Sequence, residues 1–238
     1  MTIELRQDLN IDCLREAQRE RQVLSVKSFL EPSSADTLSQ LLSDHLEWSV
    51  SAVDEARVPI SISAAEFASN SEARSAFLMR ADAGDPNRFR YLYGSYHLMR
   101  FHQEGRDVGC LDSLVSFLTS HAFEDAVSRI FELDVSNADA HLASYGPGHF
   151  LNRHTDAVAP LNGRRRAVAF VLNFTQHWRS DWGGLTTFWP HPGEPGQTYT
   201  PEFNSALLFR VPIDHSVGIV ARSAPHRLSV AGWLHEGA

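Results

Sequence analysis

From residue 138 onward the chain breaks into short strand-length runs, and this spacing restricts the available folds more than any other feature. The runs are 140–145, 149–154, 166–174, 185–189, 198–201, 205–211, 215–220 and 227–234, separated by Gly, Pro, Asn and Asp. Short apolar or alternating runs bounded by turn formers read as strands, and about eight at this spacing predict an antiparallel sandwich or barrel. Residues 1–137 read differently. Ile11, Leu14 and Ala17 recur at helical spacing within 10–22. Leu38, Leu41, Leu42 and His45-Leu46 form the stripe of a second helix, capped at Ser33 or Ser34. A helix around 71–81 and one or two within 110–133 follow, the latter with Leu111, Leu114, Val115, Phe117 and Leu118 as core face. Strands are predicted at 23–30, 47–53 and 89–99, with a turn at 83–87. Helices first and strands later predict a mainly β fold with α. Its core is a double-stranded β-helix (jelly-roll, cupin-like) over 138–238, supported by the helices and strands of 1–137. With no linker or repeat between the parts, one domain over 1–238 is expected.

Charge and cysteine usage narrow the function classes. A net charge of −8 argues against nucleic-acid binding, which calls for a basic patch. The one dense basic cluster, Arg164-Arg165-Arg166, reads as a charged loop or the start of a strand rather than a binding patch. Cys13 and Cys110 are far apart and form no CxxC pair, so a reducing cytoplasm is expected. Residues 1–22 are charged and amphipathic, without the apolar stretch of a signal peptide. No apolar run approaches the ~20 residues that span a bilayer. These features predict a soluble cytoplasmic protein without a membrane partner, as monomer or homodimer.

The chemistry concentrates in 145–156. His154 and Asp156 stand two apart, and on an extended strand that puts both side chains on one face. With one more imidazole they form a two-His-one-carboxylate set, which caps one face of a metal and leaves three positions open, as in non-haem Fe(II) oxygenases. His215, opening a predicted strand, is the preferred third ligand; His177, His191 and His226 compete, the first two from loops. Arg227 and Ser229 share a face of the last predicted strand, where a guanidinium and a hydroxyl can bind a carboxylate. Arg222, in a turn, is the rival. Taken singly, each signal is weak: His154 and Asp156 also suit a surface ion pair, and Arg227 a cross-strand pair.

The ordered set Tyr145…His154-x-Asp156…His215…Arg227-x-Ser229 resembles the 2-oxoglutarate/Fe(II)-dependent oxygenase superfamily, most closely its prolyl-4-hydroxylase-like branch. The resemblance covers about 140–235. Supporting it are Tyr145-Gly146-Pro147-Gly148 before the ligands, Val171-Leu172-Asn173-Phe174, Gly183-Gly184-Leu185 leading to Phe188, and Arg227 to Trp233 at the end. It implies that His154, Asp156 and His215 ligate Fe(II). Arg227 would pair with the distal carboxylate of 2-oxoglutarate, helped by Ser229, with Tyr145 donating a hydrogen bond nearby. Asn173, Leu185 and Trp233 would line the pocket. The chain departs from the pattern at Val171, where some relatives carry a co-substrate-binding Tyr. The implied reaction consumes 2-oxoglutarate and O2, releases succinate and CO2, and hydroxylates an unactivated C–H, with ascorbate as a reductant. The implied substrate is a prolyl residue of a protein or peptide; relatives that act on free amino acids or small metabolites keep that alternative open. So does a non-oxygenase cupin-type metal or small-molecule binding protein, although such a protein has no need of Arg227-x-Ser229. The aromatic segment 89–102, with Tyr91, Tyr93, Tyr96, His97 and Phe101, reads as a half-buried strand or as a rim over the site.

Overall fold

The computed structural model describes residues 2–43, 46–85, 87–160, 163–189, 191 and 193–237. The N-terminal part runs α1 (Ile11–Glu20), β1 (Val23–Lys27), α2 (Pro32–Ser43), β2 (Ser49–Val53), β3 (Pro59–Ser63), α3 (Ala64–Ser69), α4 (Ser71–Asp82), β4 (Tyr91–Tyr96), α5 (Leu98–Gln103), α6 (Asp112–Leu118) and α7 (His121–Phe131). The C-terminal part is β5 (Val135–Tyr145), β6 (Phe150–His154), β7 (Arg164–Asn173), β8 (Thr186–Trp189), β9 (Gln197–Tyr199), β10 (Ser205–Arg210), β11 (Asp214–Val217) and β12 (Arg227–Gly237).

Local chemistry explains the helix starts. The Asn10 side chain accepts from the Cys13 N–H at the head of α1, and Ser120 accepts from Phe123 at the head of α7. For α2 the expected cap is wrong by two or three residues. The helix begins at Pro32, whose fixed φ suits a first helical position, and the Ser34 hydroxyl instead accepts from the Glu4 N–H. His45, expected in the α2 stripe, lies outside the described residues. The sequence reading also missed β3 and α3. β3 is an edge strand that pairs only with β2, so Pro59 at its start disturbs no second ladder.

All strand pairs are antiparallel, in the order β1-β10-β7-β12-β5-β4-β6-β11-β8-β9, with β2 and β3 added beside β4. β4 joins two walls: Gly94–Tyr96 pair with β5, whereas Tyr91 and Leu92 pair with β6. The outer face of the long wall is apolar at every second position, with Leu142 on β5, Leu172 on β7 and Val230 on β12. It is covered by Leu38, Leu42, Leu114, Phe123, Val127 and Ile130 from the helices. That layer seals one side. The inner faces of the two walls, β5, β7 and β12 against β6, β8 and β11, enclose a cavity of about 410 Å³. This is the jelly-roll core expected, flanked by helices. Among the described residues no helix is long and apolar enough to cross a membrane.

Candidate active site

β6 ends at His154, and antiparallel pairing sets His215 of β11 directly opposite. Asp156 lies two residues beyond the end of β6, so the strand carries one of the two expected residues and the following segment the other. His154 Nε2 is 3.6 Å from Asp156 Oδ1 and His215 Nε2 is 3.5 Å from Asp156 Oδ2. One ligand atom from each of the three lies within 4.8 Å of the others. Among the described residues this is the group of His, Cys, Asp and Glu able to hold a metal ion; His177, His191 and His226 are not part of it.

The backbone sets the ring orientations. His154 Nδ1 is 2.8 Å from the Asn152 carbonyl and His215 Nδ1 is 3.0 Å from the Ile213 carbonyl. A carbonyl can only accept, so each Nδ1 carries the proton and each Nε2 keeps its lone pair. Burial holds the His215 pKa below its usual range, against the pull of Asp156, and favours the neutral ring that a metal requires. Phe188 stacks on the His215 ring at 5.6 Å and Phe209 meets it edge-on at 5.1 Å, which fixes its plane. Asp156 is buried, and burial alone would raise its pKa. The proximity of the His154 and His215 rings more than offsets this and leaves it lowered. The donor set thus offers two neutral nitrogens and one carboxylate on one side of a common point, as an octahedral Fe(II) with open positions requires.

The second half of the site is built on β12. Arg227, Ser229, Ala231 and Trp233 line the cavity, while Leu228, Val230 and Leu234 turn to the outer core. Arg227 is 1% exposed, yet no carboxylate of the described residues lies within ion-pair distance of it. Its guanidinium donates to the Gly184 carbonyl (2.6 Å), the Thr186 hydroxyl (3.1 Å) and Asn173 Oδ1 (3.3 Å), and its Nε–H is buried without an acceptor. Burial pushes its pKa down to about 10, with Tyr145 opposing, so it remains a cation at neutral pH. A buried cation balanced only by neutral acceptors is costly unless an anion completes it. That observation fits the carboxylate of a co-substrate. Tyr145 lies opposite Arg227 on β5, its ring 5.4 Å from the guanidinium and stacked on Tyr93. Burial raises the Tyr145 pKa, so the hydroxyl stays a donor.

Of the residues expected to line the pocket, Trp233 does and Asn173 and Leu185 do not. Asn173 instead holds Arg227 through Oδ1 and donates through Nδ2 to Ser205 Oγ. Leu185 falls on the wrong side of the period-two alternation: Thr186 and Phe188 of β8 face inward. Thr186 and Gly184 were missed, although the Gly183-Gly184 pair was a signal of close backbone approach. His141 was missed too; alternation back from Tyr145 and Ala143 points to it. Of the proposed rim, Phe89, Tyr91 and Tyr93 line the cavity, whereas Tyr96, His97 and Phe101 do not. The basic cluster also needs correction. Arg165 pairs with Glu236 at the surface, but Arg166 lines the cavity.

Comparison with known proteins agrees with this geometry. Residues 140–235 match the family model of the 2OG-Fe(II) oxygenase superfamily. No curated protein sequence matches the chain. Among solved structures, a Pseudomonas putida prolyl-4-hydroxylase is similar with a TM-score of 0.58 at 17% identity, covering 96% of this chain and 100% of the other. A Trichoplax adhaerens prolyl hydroxylase, in complex with a hypoxia-inducible factor peptide fragment, gives 0.60 at 16% identity, covering 95% and 89%. The non-haem α-ketoglutarate-dependent epimerase SnoN of nogalamycin biosynthesis gives 0.57 at 14% identity, covering 96% and 83%. At these identities the structural likeness speaks to the fold.

Proposed function

We propose, from the premise that the segment 140–235 belongs to the 2OG-Fe(II) oxygenase superfamily, that this dioxygenase hydroxylates a prolyl residue of a protein or peptide. The observation that carries this reading is one cavity with two complementary parts. His154, Asp156 and His215 form an open-sided N,N,O set, and on the same cavity wall Arg227 is a buried cation without a carboxylate. His154, Asp156 and His215 would hold Fe(II). Arg227, with Ser229 beside it and Tyr145 across β5, would take the distal carboxylate of 2-oxoglutarate. Loaded with Fe(II), 2-oxoglutarate and O2, such a site releases succinate and CO2 and hydroxylates an unactivated C–H, with ascorbate as a reductant in a cytoplasmic setting.

The chain's own residues orient and exclude. Backbone carbonyls fix both imidazoles, Asn173 and Thr186 fix the guanidinium, and Phe188 and Phe209 keep water from the His215 side. Phe89, Tyr91, Tyr93 and Trp233 give the rest of the cavity an apolar lining suited to a pyrrolidine ring. The prolyl hydroxylases among the structural relatives, one bound to a peptide, support this substrate class. A second reading, a free amino acid or small metabolite, is favoured by the charged Arg166 on the same cavity wall and by the epimerase relative. Val171 lines the cavity where some relatives carry a tyrosine, so at the distal carboxylate we assign the contacts to Arg227, Thr186 and Tyr145.

The test is anaerobic addition of Fe(II) and 2-oxoglutarate, followed by the visible metal-to-ligand charge-transfer band. The wild type is expected to develop the band, His215→Ala to lose it, and Arg227→Ala to need a far higher 2-oxoglutarate concentration. Proline-containing peptides should then gain one oxygen atom by mass spectrometry under air. A metallated wild type that gives no band would overturn the co-substrate assignment.

A further inference from the structure

The pairing of β7 with β12 contains a one-residue irregularity. Leu234 lies opposite Val168, but the next residue, His235, lies opposite Arg166, so Ala167 is an extra residue on β7. The consequence is visible in the packing. Val168, Phe170 and Leu172 face the outer core, Ala169 and Val171 face inward, and strict alternation would turn Ala167 inward and Arg166 outward. Instead Ala167 joins Val168 in the outer core, and Arg166 lines the cavity. A bulge has turned a long cation from the outer face of the sheet into the site.

Once there, Arg166 sits near two carboxylates, Asp156 and Asp139, neither of them within hydrogen-bond distance. Its guanidinium lies 3.5 Å over the Trp233 ring, which fixes its plane, and Trp233 in turn stacks on His141 at 5.8 Å. Among the described residues it makes one hydrogen bond, 3.4 Å to the Asp156 carbonyl, and its nearest carboxylate, Asp139, is 3.9 Å away and itself half exposed. A guanidinium carries five N–H donors in a planar fork that matches a carboxylate. Most of that capacity has no acceptor among the described residues. On the same wall the Trp233 indole N–H is buried beside the Asp156 carboxylate, beyond hydrogen-bond distance of it. Arg227 cannot be the reason for this second cation, since it has its own acceptors on β8 and β7.

Resting on the oxygenase reading above, we propose that Arg166 is a specificity-determining residue that binds a carboxylate of the substrate, with Trp233 as its backing plate. The substrate then bears an anionic group close to the carbon that is oxidised. The carboxylate has two sources, a free amino or imino acid or an acidic side chain flanking a peptidyl proline, and the chemistry at Arg166 is the same for both.

The experiment uses the full chain loaded anaerobically with Fe(II) and 2-oxoglutarate, with perturbation of the charge-transfer band as the binding readout and succinate release under air as the turnover readout. The probes are L-proline against L-prolinamide, and a short proline peptide with Asp beside the proline against the same peptide with Asn. In the wild type one carboxylate probe is expected to bind roughly tenfold or more tightly than its amide counterpart. Arg166→Gln should abolish that discrimination by raising KM more than it lowers kcat, and Arg166→Lys should restore part of it. The Fe(II)·2-oxoglutarate band should still form in both variants. Response to L-proline alone assigns a free acid, and response to the Asp peptide alone assigns a peptide. Equal binding of carboxylate and amide probes, no response of the wild-type band to any probe, or equal discrimination in Arg166→Gln would overturn the proposal. Absence of the band in the wild type would overturn the oxygenase reading instead, which keeps the two failures distinguishable.

Discussion

Arg227 is kept in place by neutral acceptors, and those acceptors matter as much as the charge. Asn173 Oδ1, the Thr186 hydroxyl and the Gly184 carbonyl fix three directions of the fork and leave Nε–H free. Asn173→Ala removes one of them without touching the cavity lining. Its expected effect is a rise of several-fold in the KM for 2-oxoglutarate, on the scale of one charged hydrogen bond, with Fe(II) affinity unchanged. Equal weakening of both would assign Asn173 to the fold alone. His141 provides a pH-dependent counterpart. It sits between Tyr93 and Trp233, and burial pushes its pKa down to about 4 from an ordinary value near 6.5. Below about 6.5 the unfolded chain therefore takes up a proton that the folded chain refuses, and stability falls as pH falls until about 4. In urea unfolding of the metal-free protein, His141→Gln should lose less stability than the wild type between pH 6.5 and 4.5, the difference reaching at most about 1.4 kcal/mol per pH unit. A constant gap between the two would refute it. At this scale the sequence was legible where spacing carries the chemistry: the candidates His154, Asp156, His215 and Arg227 meet in one cavity. It was not legible for Thr186, which no motif marks, or for Arg166, whose neighbours Arg164 and Arg165 make it look like surface.

At the scale of elements, the alternation of apolar residues located the strands of the C-terminal half to within a few residues, except that β5 begins five residues before the expected run, because most of them have one face on a core. What alternation cannot reveal is an added residue. The irregularities at Ala167 and near Asn137, whose φ is 56°, lengthen β7 and β5 by one position each, and only the neighbouring strand reveals them. β3 escaped for a related reason: its isoleucines are only half-buried on an edge, so Pro59 dominates the pattern. The connection before β8 shows an element held by a residue with no side chain. Gly183 has φ 68°, and a Cβ there would lie 2.1 Å from the Ile219 carbonyl oxygen. Its own carbonyl accepts from the Trp178 indole, and the next carbonyl, that of Gly184, accepts from Arg227. Gly183→Ala therefore acts on the fold and the site together. It should cost about 2 kcal/mol or more, a fall in Tm of roughly 4–8 °C for a chain of this size, and it should raise the KM for 2-oxoglutarate. Differential scanning calorimetry and steady-state kinetics on the same preparation check both, and a fall in Tm without any change in KM would sever the link between this turn and Arg227.

Across the whole molecule, the site joins two walls that meet covalently only through turns and laterally through β4. The candidate metal ligands stand on or just beyond the β6–β11 wall, while Arg227 and Ser229 stand on β12 in the opposite wall. A co-substrate held at one end by the metal and at the other by Arg227 would tie the walls together, so its binding energy would resist global unfolding and not only local motion. Mass action gives the size: a ligand at a hundredfold its Kd adds about 2.7 kcal/mol, or roughly 5–11 °C in Tm for a chain of this length. Mn(II), which binds such oxygen and nitrogen donors without starting turnover, should raise Tm alone, and 2-oxoglutarate should add a second increment only when the metal is present. In Arg227→Ala the first increment should survive and the second disappear. Loss of both would mean that Arg227 maintains the ligand geometry from a distance. Survival of both would mean that the co-substrate carboxylate is held elsewhere on the cavity wall, with Arg166 the remaining cation that could receive it.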